Sequence, residues 1–257
     1  MLDIGTHAFS IASCEPVAAT RGPADETLLT RFNVHFQTLT ADTPDRVKMA
    51  QKVRYQVYCV ENPHEKSSNP DEMETDEFDA HSAQSLLLYR PNGAALGTAR
   101  LILPLAADAA QSFSVQRVMG AAAQRELDGL PLHATAEVSR FSISRQFRRI
   151  AETATGSEQA AFVANSGPLI RLGLIQALVR MSVQQRITHW CALMEPTLLR
   201  MLSAMGIRFQ PVGPLVEFRG LRQPCHCRIA DVLAAVRCER PAFWSVITDN
   251  GTLWPAA

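Results

Sequence analysis

The chain has 257 residues, of which 47% are hydrophobic, and its 25 basic and 25 acidic residues leave no net charge. This content fills one sizeable core, and the neutral balance excludes a general attraction to nucleic acid or to an anionic membrane. No apolar run approaches the ~20 residues of a bilayer span, and the N-terminus lacks the pattern of a secretion signal, so we expect a cytoplasmic protein without a transmembrane segment and with at most transient membrane contact.

Six cysteines are scattered along the chain without a Cys-x-x-Cys pair, and in a cytoplasmic protein they should be reduced. The triplet Cys225-His226-Cys227 does not predict a zinc site, because neighbouring residues of a strand point to opposite faces and no second ligand pair follows at finger spacing. We therefore expect no bound metal.

The N-terminal half begins without a periodic pattern. Residues 1–31 predict a poorly ordered leader, followed by a single domain over residues 32–257. Alternation over 33–40 predicts a first strand. Asp42-Thr43-Pro44 supplies a cap and a first-turn proline, which predict a helix to about Glu61. Its expected core positions are Ala50, Val53, Val57 and Val60.

The middle of the chain predicts a central hairpin. Residues 62–80 are acidic and lack an apolar period, which indicates a long loop. Two apolar runs at 85–89 and 97–103 flank the turn Pro91-Asn92-Gly93. A short helix near 115–127 and a strand over 135–144 follow.

The C-terminal half alternates helices and strands. A helix is predicted from Ser166 to about Arg186, a strand over 189–194, a helix from Pro196 to Gly206, strands around 212–219 and 227–229, and a last helix near 231–237. The wet side of the first of these helices is assigned to Arg171, Gln176, Arg180 and Gln184. The order of elements predicts an α/β fold with one mixed sheet and helices on both faces.

Two charged clusters lie outside the predicted strands. Arg54, Tyr58 and Glu61 share one helix face at spacing i, i+4, i+7, which fits a binding face and a solvated edge equally well. The acidic run 71–79 is either a solvated loop or a set of carboxylates that attracts a cationic or amine-bearing substrate. It lacks the glycine of a calcium-binding loop.

A third cluster lies inside strands that otherwise read as buried. Arg100, Glu137 and Arg140 are costly there unless they are paired or face a cleft, and we favour a functional cleft over a structural ion pair. In a regular strand Glu137 and Arg140 point to opposite faces, since their separation is odd. A β-bulge would bring both toward one cleft.

The order of these motifs resembles that of the acyl-homoserine-lactone synthases. The motifs are residues 54–58, 76–79, 97–101 and 137–141. The sequence is still more similar to the acyltransferases associated with PEP-CTERM/exosortase systems and to long-chain N-acyl amino acid synthases, where the likeness extends to residues 187–196, 212–217 and 220–224. In all it covers about residues 33–250.

This resemblance implies a GNAT fold whose sheet splays between its fourth and fifth strands. The pantetheine arm of an acyl carrier would enter the gap beside residues 137–141, between 136–144 and 189–194, with the acyl chain in an apolar tunnel. Ordinary acetyl-CoA-using members follow the fourth strand with a glycine-rich phosphate loop, whereas residues 144–150 here contain no glycine. We therefore expect Arg145, Arg148 and Arg149 to bind the phosphopantetheine arm of acyl carrier protein, although a solvated basic turn is the alternative.

The resemblance also implies an N-acyltransferase that moves a fatty acyl group to the amine of an amino acid or amino-acid derivative. Glu137 would act as general base, and Arg100 and Arg140 would complete the catalytic set by positioning the reactants. Arg54, Tyr58, Asp76, Asp79, Ser139 and Phe141 would form the substrate-binding surface. The expected donor is acyl-ACP or acyl-CoA, with no tightly bound cofactor and no nucleic-acid partner.

Four alternatives remain at this stage. One is a true homoserine-lactone synthase that uses S-adenosylmethionine. The second is a CoA-dependent acetyltransferase of small molecules, which the missing glycine-rich loop disfavours. The third is a non-catalytic module that binds an acyl chain or its carrier. The fourth is a ping-pong route through Cys191 or Cys59, for which no histidine lies at a convincing partner position.

Overall fold

The computed structural model describes residues 27–62, 70–146 and 165–255. Within these ranges a single mixed sheet has eight strands in the order β1-β2-β3-β4-β5-β8-β6, with β7 attached to β8. The strands are β1 Phe36–Thr40, β2 Ser82–Tyr89, β3 Ala94–Ile102, β4 Thr135–Ile143, β5 His189–Met194, β6 Gln210–Pro211, β7 Val216–Glu217 and β8 Leu221–Arg228.

Helices cover both faces of this sheet, as the sequence predicts for an α/β fold. They are α1 Leu28–His35, α2 Pro44–Tyr55, α3 Ser114–Val118, α4 Ala121–Asp128, α5 Gly167–Gln184, α6 Pro196–Ala204, α7 Ile229–Glu239 and α8 Pro241–Thr248. A π-helix, Gln56–Glu61, continues α2, and single 3-10 turns lie at Glu77–His81, Ala109–Gln111 and Leu132–Ala134. In the described ranges, no helix combines the length and apolarity that a bilayer crossing needs.

The larger core lies between the sheet and α5, which is buried around most of its circumference. Leu87, Leu101, Val138 and Trp190 supply the sheet side of this core. A smaller core on the opposite face joins Phe78, Ile102, Phe113, Val115, Leu127 and Cys191. The polar residues of the candidate site lie on this second face, beside α2 and α3.

The sheet opens between β4 and β5, the one parallel pair among the described strands. Their register contains only three residue pairs and ends at Glu137 opposite Cys191. Beyond that point β4 continues to Ile143 and β5 to Met194 without facing each other. The predicted splay between the fourth and fifth strands is therefore confirmed.

The predicted hairpin is also confirmed, as β2 and β3 pair around a turn at Gly93 with φ +70°. The prediction of a strand from residue 33 is wrong over 33–35, which belong to α1. Thr27 caps that helix, its hydroxyl accepting a hydrogen bond from the Thr30 N–H at 3.1 Å. Residues 1–26 of the predicted leader lie outside the described residues, and its last residues, from Leu28, are helical.

The predicted core stripe of the second helix is correct at Ala50, Val53 and Val57 but wrong at Val60, which is 55% exposed. The cause is the π-helix, in which the Asn62 N–H bonds to the Val57 carbonyl five residues earlier at 3.0 Å. One more residue per turn rotates the following side chains away from the α-helical face.

Predicted boundaries also differ in four other places. The predicted loop 62–80 ends in the 3-10 turn at Glu77–His81, and the single short helix near 115–127 is two helices, α3 and α4. The predicted strand at 227–229 is the end of the eight-residue β8, and the strand at 212–219 shrinks to β7. The sequence reading also missed α8, which begins directly after α7 because Pro241 takes the first helical position.

Gln176 was assigned to the wet side of α5, and this is wrong. Its side chain is 3% exposed and lies between two elements. The amide oxygen accepts a hydrogen bond from the Thr38 hydroxyl of β1 at 2.6 Å, and the amide nitrogen donates to the Val246 carbonyl of α8 at 2.6 Å. Gln184 is exposed as predicted, and Arg171 and Arg180 are partly exposed.

We predict that Gln176→Leu lowers the free energy of unfolding by about 1–3 kcal/mol, because it leaves the buried Thr38 hydroxyl without its partner and removes the shorter of the two hydrogen bonds that the Val246 carbonyl accepts. Gln184→Leu is the matched control on the same helix and should change stability by less than about 0.5 kcal/mol. Denaturant titration of the three proteins measures both values. Equal effects would show that the buried bridge does not stabilise the fold.

Candidate active site

A β-bulge interrupts β4 beside the splay. Arg100 faces Ser139 and Thr98 faces Ser142, so two residues of β4, Arg140 and Phe141, stand opposite the single residue between Thr98 and Arg100. Arg140 has φ +49°, in the left-handed region that side-chain-bearing residues rarely adopt. The predicted bulge is thus confirmed and lies at Arg140 itself. It turns the Arg140 side chain to the face that carries Arg100 and Glu137.

Two cavities meet at this bulge. The polar cleft, with a volume of about 420 Å³, contains Asp76, Arg100, Glu137 and Arg140 in its wall. The apolar cavity, of about 300 Å³, lies in the splay, with Phe141, Ile175, Leu178 and Phe209 in its wall. The residues common to both walls are Tyr58, Val138, Ser139, Arg140, Leu193, Glu195 and Arg222.

Glu137 lies at the last paired position of β4, on the wall of the polar cleft, and is 2% exposed. Its carboxylate accepts hydrogen bonds from the Ser114 hydroxyl and from the Val115 N–H, the latter at 2.9 Å, at the start of α3. Burial raises the pKa of Glu137, and these hydrogen bonds and the charge of Arg100 offset only part of the effect. A buried carboxyl group with a raised pKa on a cleft wall is suited to proton transfer.

Beside Glu137, an ion-pair network joins the acidic loop to α2, β3 and β4. Arg54 contacts Glu74 and, at 2.7 Å, Asp79. Arg100 contacts Asp76 and Asp79, both at 2.6 Å. Arg140 contacts Glu74 at 2.7 Å and Asp76 at 2.9 Å. Three positive and three negative charges therefore balance; the network consists of Arg54, Arg100, Arg140, Glu74, Asp76 and Asp79.

Two carboxylates of this network, Asp76 and Glu74, are held ionised. Burial works against this, but the hydrogen bond and charge of Arg100, with the charge of Arg140, lower the pKa of Asp76 to about 2. Arg140 and Arg54 likewise lower the pKa of Glu74 despite its burial. Glu74, Asp76 and Asp79 are therefore paired with arginines inside the protein, so these three carboxylates of the run 71–79 do not offer an unpaired charge to a cationic substrate. Glu77, one of the exposed acidic residues of the run, forms an ion pair with Arg117 at 2.7 Å.

The structure brings together most of the predicted site residues. Arg100, Arg140, Glu137, Asp76, Ser139 and Tyr58 all line the polar cleft, and Phe141 lines the apolar cavity. Arg54 is fully buried inside the network and is absent from both cavity walls, as is Asp79. These two residues therefore support the site and do not face a substrate. The sequence analysis gave a structural ion pair as the less favoured explanation of Arg100, Glu137 and Arg140. This explanation holds for Arg100 and Arg140, whereas Glu137 forms no ion pair with a described residue.

Tyr58 stands where the two cavities meet. Its hydroxyl group is hydrogen-bonded to the Ser142 hydroxyl at 3.0 Å, and the Arg140 guanidinium lies 5.4 Å from its ring centre. The Ser139 hydroxyl accepts a hydrogen bond from Arg100 Nε at 2.9 Å. The π-helix thus places an aromatic side chain against the bulge, a use of π-helical turns that recurs at functional sites.

The turn after β4 is occupied by a carboxylate of the protein itself. Glu61 accepts a hydrogen bond from the Ser144 hydroxyl at 2.7 Å and from the Arg145 backbone N–H at 2.9 Å. The Arg145 guanidinium donates to the Asn62 side-chain oxygen at 2.9 Å. Of the three arginines predicted to bind a phosphopantetheine arm, Arg148 and Arg149 lie outside the described residues.

Several residues of the site were not singled out from the sequence. Ser114 and Val115, the partners of Glu137, carry no sequence signal, because a contact between a helix start and a distant strand is not periodic. Glu74 belongs to the acidic run, where its burial distinguishes it only in three dimensions. Arg222 stands in one of the motifs of the resemblance and was given no role there.

Three buried cysteines of the described ranges do not support covalent catalysis. Cys191 is fully buried, and desolvation together with the nearby Glu137 raises its pKa well above the ordinary value, so that its thiolate is disfavoured. Cys225 and Cys227 are also buried, and burial raises the pKa of Cys225 to about 12. Within the described ranges, His, Cys, Asp and Glu side chains form no group of three that could hold a metal ion.

The lowered pKa of Asp76 predicts an acid-sensitive fold. Its contribution to stability is complete above the unfolded value of 3.8 and is lost as pH falls through about 2, because the unfolded chain takes up the proton first. Asp76→Asn keeps the oxygen that caps the turn at Phe78 but removes the charge. It should cost about 3 kcal/mol at neutral pH.

Denaturant titrations from pH 7 to about 2 measure this prediction, because the variant should lose less stability than the parent between about pH 4 and 2. Glu239→Gln removes an exposed partner of Arg208 and should leave the shape of the profile unchanged. Parallel profiles for the parent and Asp76→Asn would refute the role given to this charge.

Known proteins share this architecture. Residues 53–155 match the family model described as "Acetyltransferase (GNAT) domain", a segment that contains the ion-pair network, Glu137 and the bulge. No curated protein matches the sequence. The structure is similar to that of BjaI, a CoA-dependent acyl-homoserine lactone synthase solved with SAM and isopentyl-CoA, at a TM-score of 0.55 and 18% identity over 84% of this chain and 88% of that one.

Two other solved structures are similar. TofI, solved in a ternary complex with an inhibitor and MTA, has a TM-score of 0.54 and 19% identity over 80% of this chain and 99% of its own. FeeM, an N-acyl amino acid synthase from uncultured soil microbes, has a TM-score of 0.48 and 15% identity over 78% of this chain and 94% of its own. The mixed sheet with its parallel β4–β5 pair is the architecture of the GNAT fold. With the match to the acetyltransferase domain over residues 53–155, this architecture shows that the chain is an α/β protein of the GNAT fold.

Proposed function

We propose that this protein transfers a fatty acyl group from acyl carrier protein to the amine of an amino acid or amino-acid derivative. The observation that carries the proposal is the meeting of two unlike cavities at the β4 bulge. The polar cleft offers a buried carboxyl group to the amine, and the apolar cavity accepts a hydrocarbon chain. The thioester carbonyl would lie at the junction between them.

The apolar cavity suits the acyl chain. Its walls come from α5, α6, β4 and β5, with side chains that include Ile143, Ile175, Leu178, Leu198 and Phe209. Each buried methylene contributes about 0.8 kcal/mol to binding, so a fatty chain gains more from this cavity than an acetyl group does. This favours a fatty acyl donor over the acetyl donor of the small-molecule alternative.

The splay gives the pantetheine arm a place to bind. Among the described strands, none pairs with β4 on its β5 side beyond Glu137. Its backbone groups on that side are therefore available to an extended arm, in the way that an open sheet edge binds an added strand. An arm laid along residues 138–141 would bring the thioester to the bulge.

The reaction would be a direct transfer. The amine nitrogen attacks the thioester carbonyl, the new C–N bond forms, and the C–S bond breaks. The carrier leaves as a thiolate and becomes its thiol by taking up the proton that Glu137 has removed from the amine. Glu137 accepts the proton that the amine loses, through one water, since its carboxylate is almost fully enclosed. Backbone N–H groups at Arg140 and Phe141, which lie out of register with β3, would stabilise the oxyanion.

The ion-pair network supports this chemistry without taking part in it. Arg140 binds Glu74 and Asp76 and thereby holds the bulged backbone in its left-handed conformation. Arg100 fixes the Ser139 hydroxyl next to the bulge. We assign Arg100 and Arg140 a positioning role, as the resemblance implies, and Arg54 and Asp79 a supporting role one layer further from the cleft.

The turn after β4 favours acyl carrier protein over CoA as the donor. The Arg145 N–H and the Ser144 hydroxyl, two donors of this turn, already bind the Glu61 carboxylate. A pyrophosphate group would have to displace this carboxylate or lie beside its negative charge. The phosphopantetheine arm of acyl carrier protein has a single phosphate and needs fewer hydrogen-bond donors than a pyrophosphate. Such a donor implies that the enzyme acts in the cytoplasm.

Homoserine-lactone synthesis is the second candidate function. BjaI, which is similar in structure, is a lactone synthase solved with SAM. A sulfonium acceptor carries an additional positive charge, however, and the carboxylates of the ion-pair network are already neutralised by arginines. The sequence motifs shared with PEP-CTERM/exosortase-associated acyltransferases and N-acyl amino acid synthases also favour an amino-acid acceptor.

We predict that Glu137→Gln lowers kcat by about two to four orders of magnitude, because it removes the general base. Lipid extracts of cells that express the wild type should contain N-acyl amino acids that are lost or strongly reduced with the variant, as measured by mass spectrometry. Glu126→Gln is the control, since Glu126 is exposed on α4 and lies outside both cavity walls.

The products of this experiment separate the candidate functions. Acyl lactones in place of acyl amino acids would move the protein to the lactone synthases. If soluble wild-type protein gave neither product, the non-catalytic binding module would become the better description. Unchanged product levels with Glu137→Gln would remove the catalytic role from this residue.

We also predict that the purified protein has a higher kcat/KM with acyl carrier protein than with the CoA thioester of the same chain. Glu61→Ala should raise the ratio of the CoA rate to the carrier rate by about fivefold, because one negative charge near the phosphates costs on the order of 1 kcal/mol. Initial-rate kinetics with both donors measure this ratio. A wild-type preference for CoA would contradict the donor assignment.

A further inference from the structure

A tight turn between β7 and β8 forms part of the wall of the polar cleft. Arg219 has φ +54° and is followed by Gly220 with φ +92°, and the Phe218 N–H closes the turn on the Gly220 carbonyl at 3.0 Å. Left-handed backbone at an arginine costs free energy, and such conformations persist mainly at binding and active sites. Phe218, Arg219 and Arg222 of this hairpin all line the cleft.

The guanidinium group of Arg222 is held in one orientation at the junction of the two cavities. Nη2 donates to the Arg219 carbonyl at 2.8 Å, and Nη1 donates to the Leu221 carbonyl at 3.2 Å and to Glu195 at 3.1 Å. The Arg222 side chain is 21% exposed, and Glu195 is 55% exposed. The Nε–H donates to no atom of the described residues, so part of the guanidinium remains available.

The charges around the cleft favour an acceptor that carries an anion. The ion-pair network is neutral, and Glu77 with Arg117 and Glu195 with Arg222 form two further balanced pairs. The cleft wall adds only Arg219 and Glu137 to these groups. Once Glu137 has accepted a proton, the paired groups leave no excess negative charge to attract a cationic acceptor, whereas a carboxylate can accept a hydrogen bond from the Arg222 guanidinium.

We propose that Arg222 binds the carboxylate of the acceptor, so that the acceptor is a free amino acid and not a neutral amine or a sulfonium compound. The inference rests on the proposed acyl-transfer function and names its acceptor class. A planar guanidinium with donors fixed by backbone carbonyls matches a carboxylate in geometry and charge. The amine of the same molecule then points into the cleft toward Glu137.

The test compares acids with amides. Purified protein and a fatty acyl thioester of acyl carrier protein are incubated with a mixture of the proteinogenic amino acids or with a mixture of their α-carboxamides, and acylated products are identified by mass spectrometry. Kinetics follow for the best amino acid and its amide. The wild type should prefer the acid by about 10–100-fold in kcat/KM, the range expected for a charge-assisted hydrogen bond.

Arg222→Gln should raise the KM for the amino acid by a similar factor, abolish the preference over the amide, and leave the KM of the acyl donor unchanged. Arg228→Gln, at the exposed end of the same strand and outside both cavities, should behave as the wild type. Denaturation midpoints of both variants verify that they fold.

The outcomes distinguish this inference from the proposed function. Equal use of acids and amides by the wild type, or a changed donor KM in Arg222→Gln, would overturn the carboxylate role and leave acyl transfer intact. Acylation of the amides alone would also overturn the carboxylate role of Arg222 and leave acyl transfer intact. No acylated product from either mixture would overturn both proposals together.

Discussion

Charge balance between an acidic loop and three arginines is the constraint on which the rest of the site depends. Arg54 and Arg100 are almost completely buried, and each would be very costly there without its carboxylates. Because Glu74, Asp76 and Asp79 all come from the same loop, the network also ties that loop to α2, β3 and β4. The polar cleft keeps its shape only while this loop stays in place.

The bulge and the splay arrange the other parts of the site. The bulge rotates Arg140 onto the face of Glu137, which a regular strand forbids. The splay ends the β4–β5 pairing directly after Glu137 and opens the sheet to a ligand. The base, the available backbone groups and the apolar cavity therefore lie next to one another because two irregularities fall within a few residues of a single strand.

The sequence was sufficient to predict the sheet class, the hairpin, the bulge and the clustering of Arg100, Glu137 and Arg140. These predictions succeed because they depend on local periodicity or on the cost of burying a charge. Predictions failed where tertiary packing decides. Gln176 is buried because α8 covers it, and Val60 is exposed because a π-helix rotates it. The burial of Arg54 and Glu74, and the contact of Ser114 with Glu137, require the loop and α3 to be in position first, so no pattern along the chain could show them.

Arg54, Tyr58 and Glu61 were noted in the sequence only as neighbours on one helix face. In the structure the first is bound into the ion-pair network, the second stands between the two cavities, and the third binds the turn after β4. One helical segment thus fixes the positions of three separate parts of the site relative to one another. An inserted or deleted residue within it would turn every later side chain by about 100° and break the three connections out of phase. Length variation among natural variants of this chain should therefore fall outside residues 54–61, however freely the individual amino acids between the three contacts are exchanged.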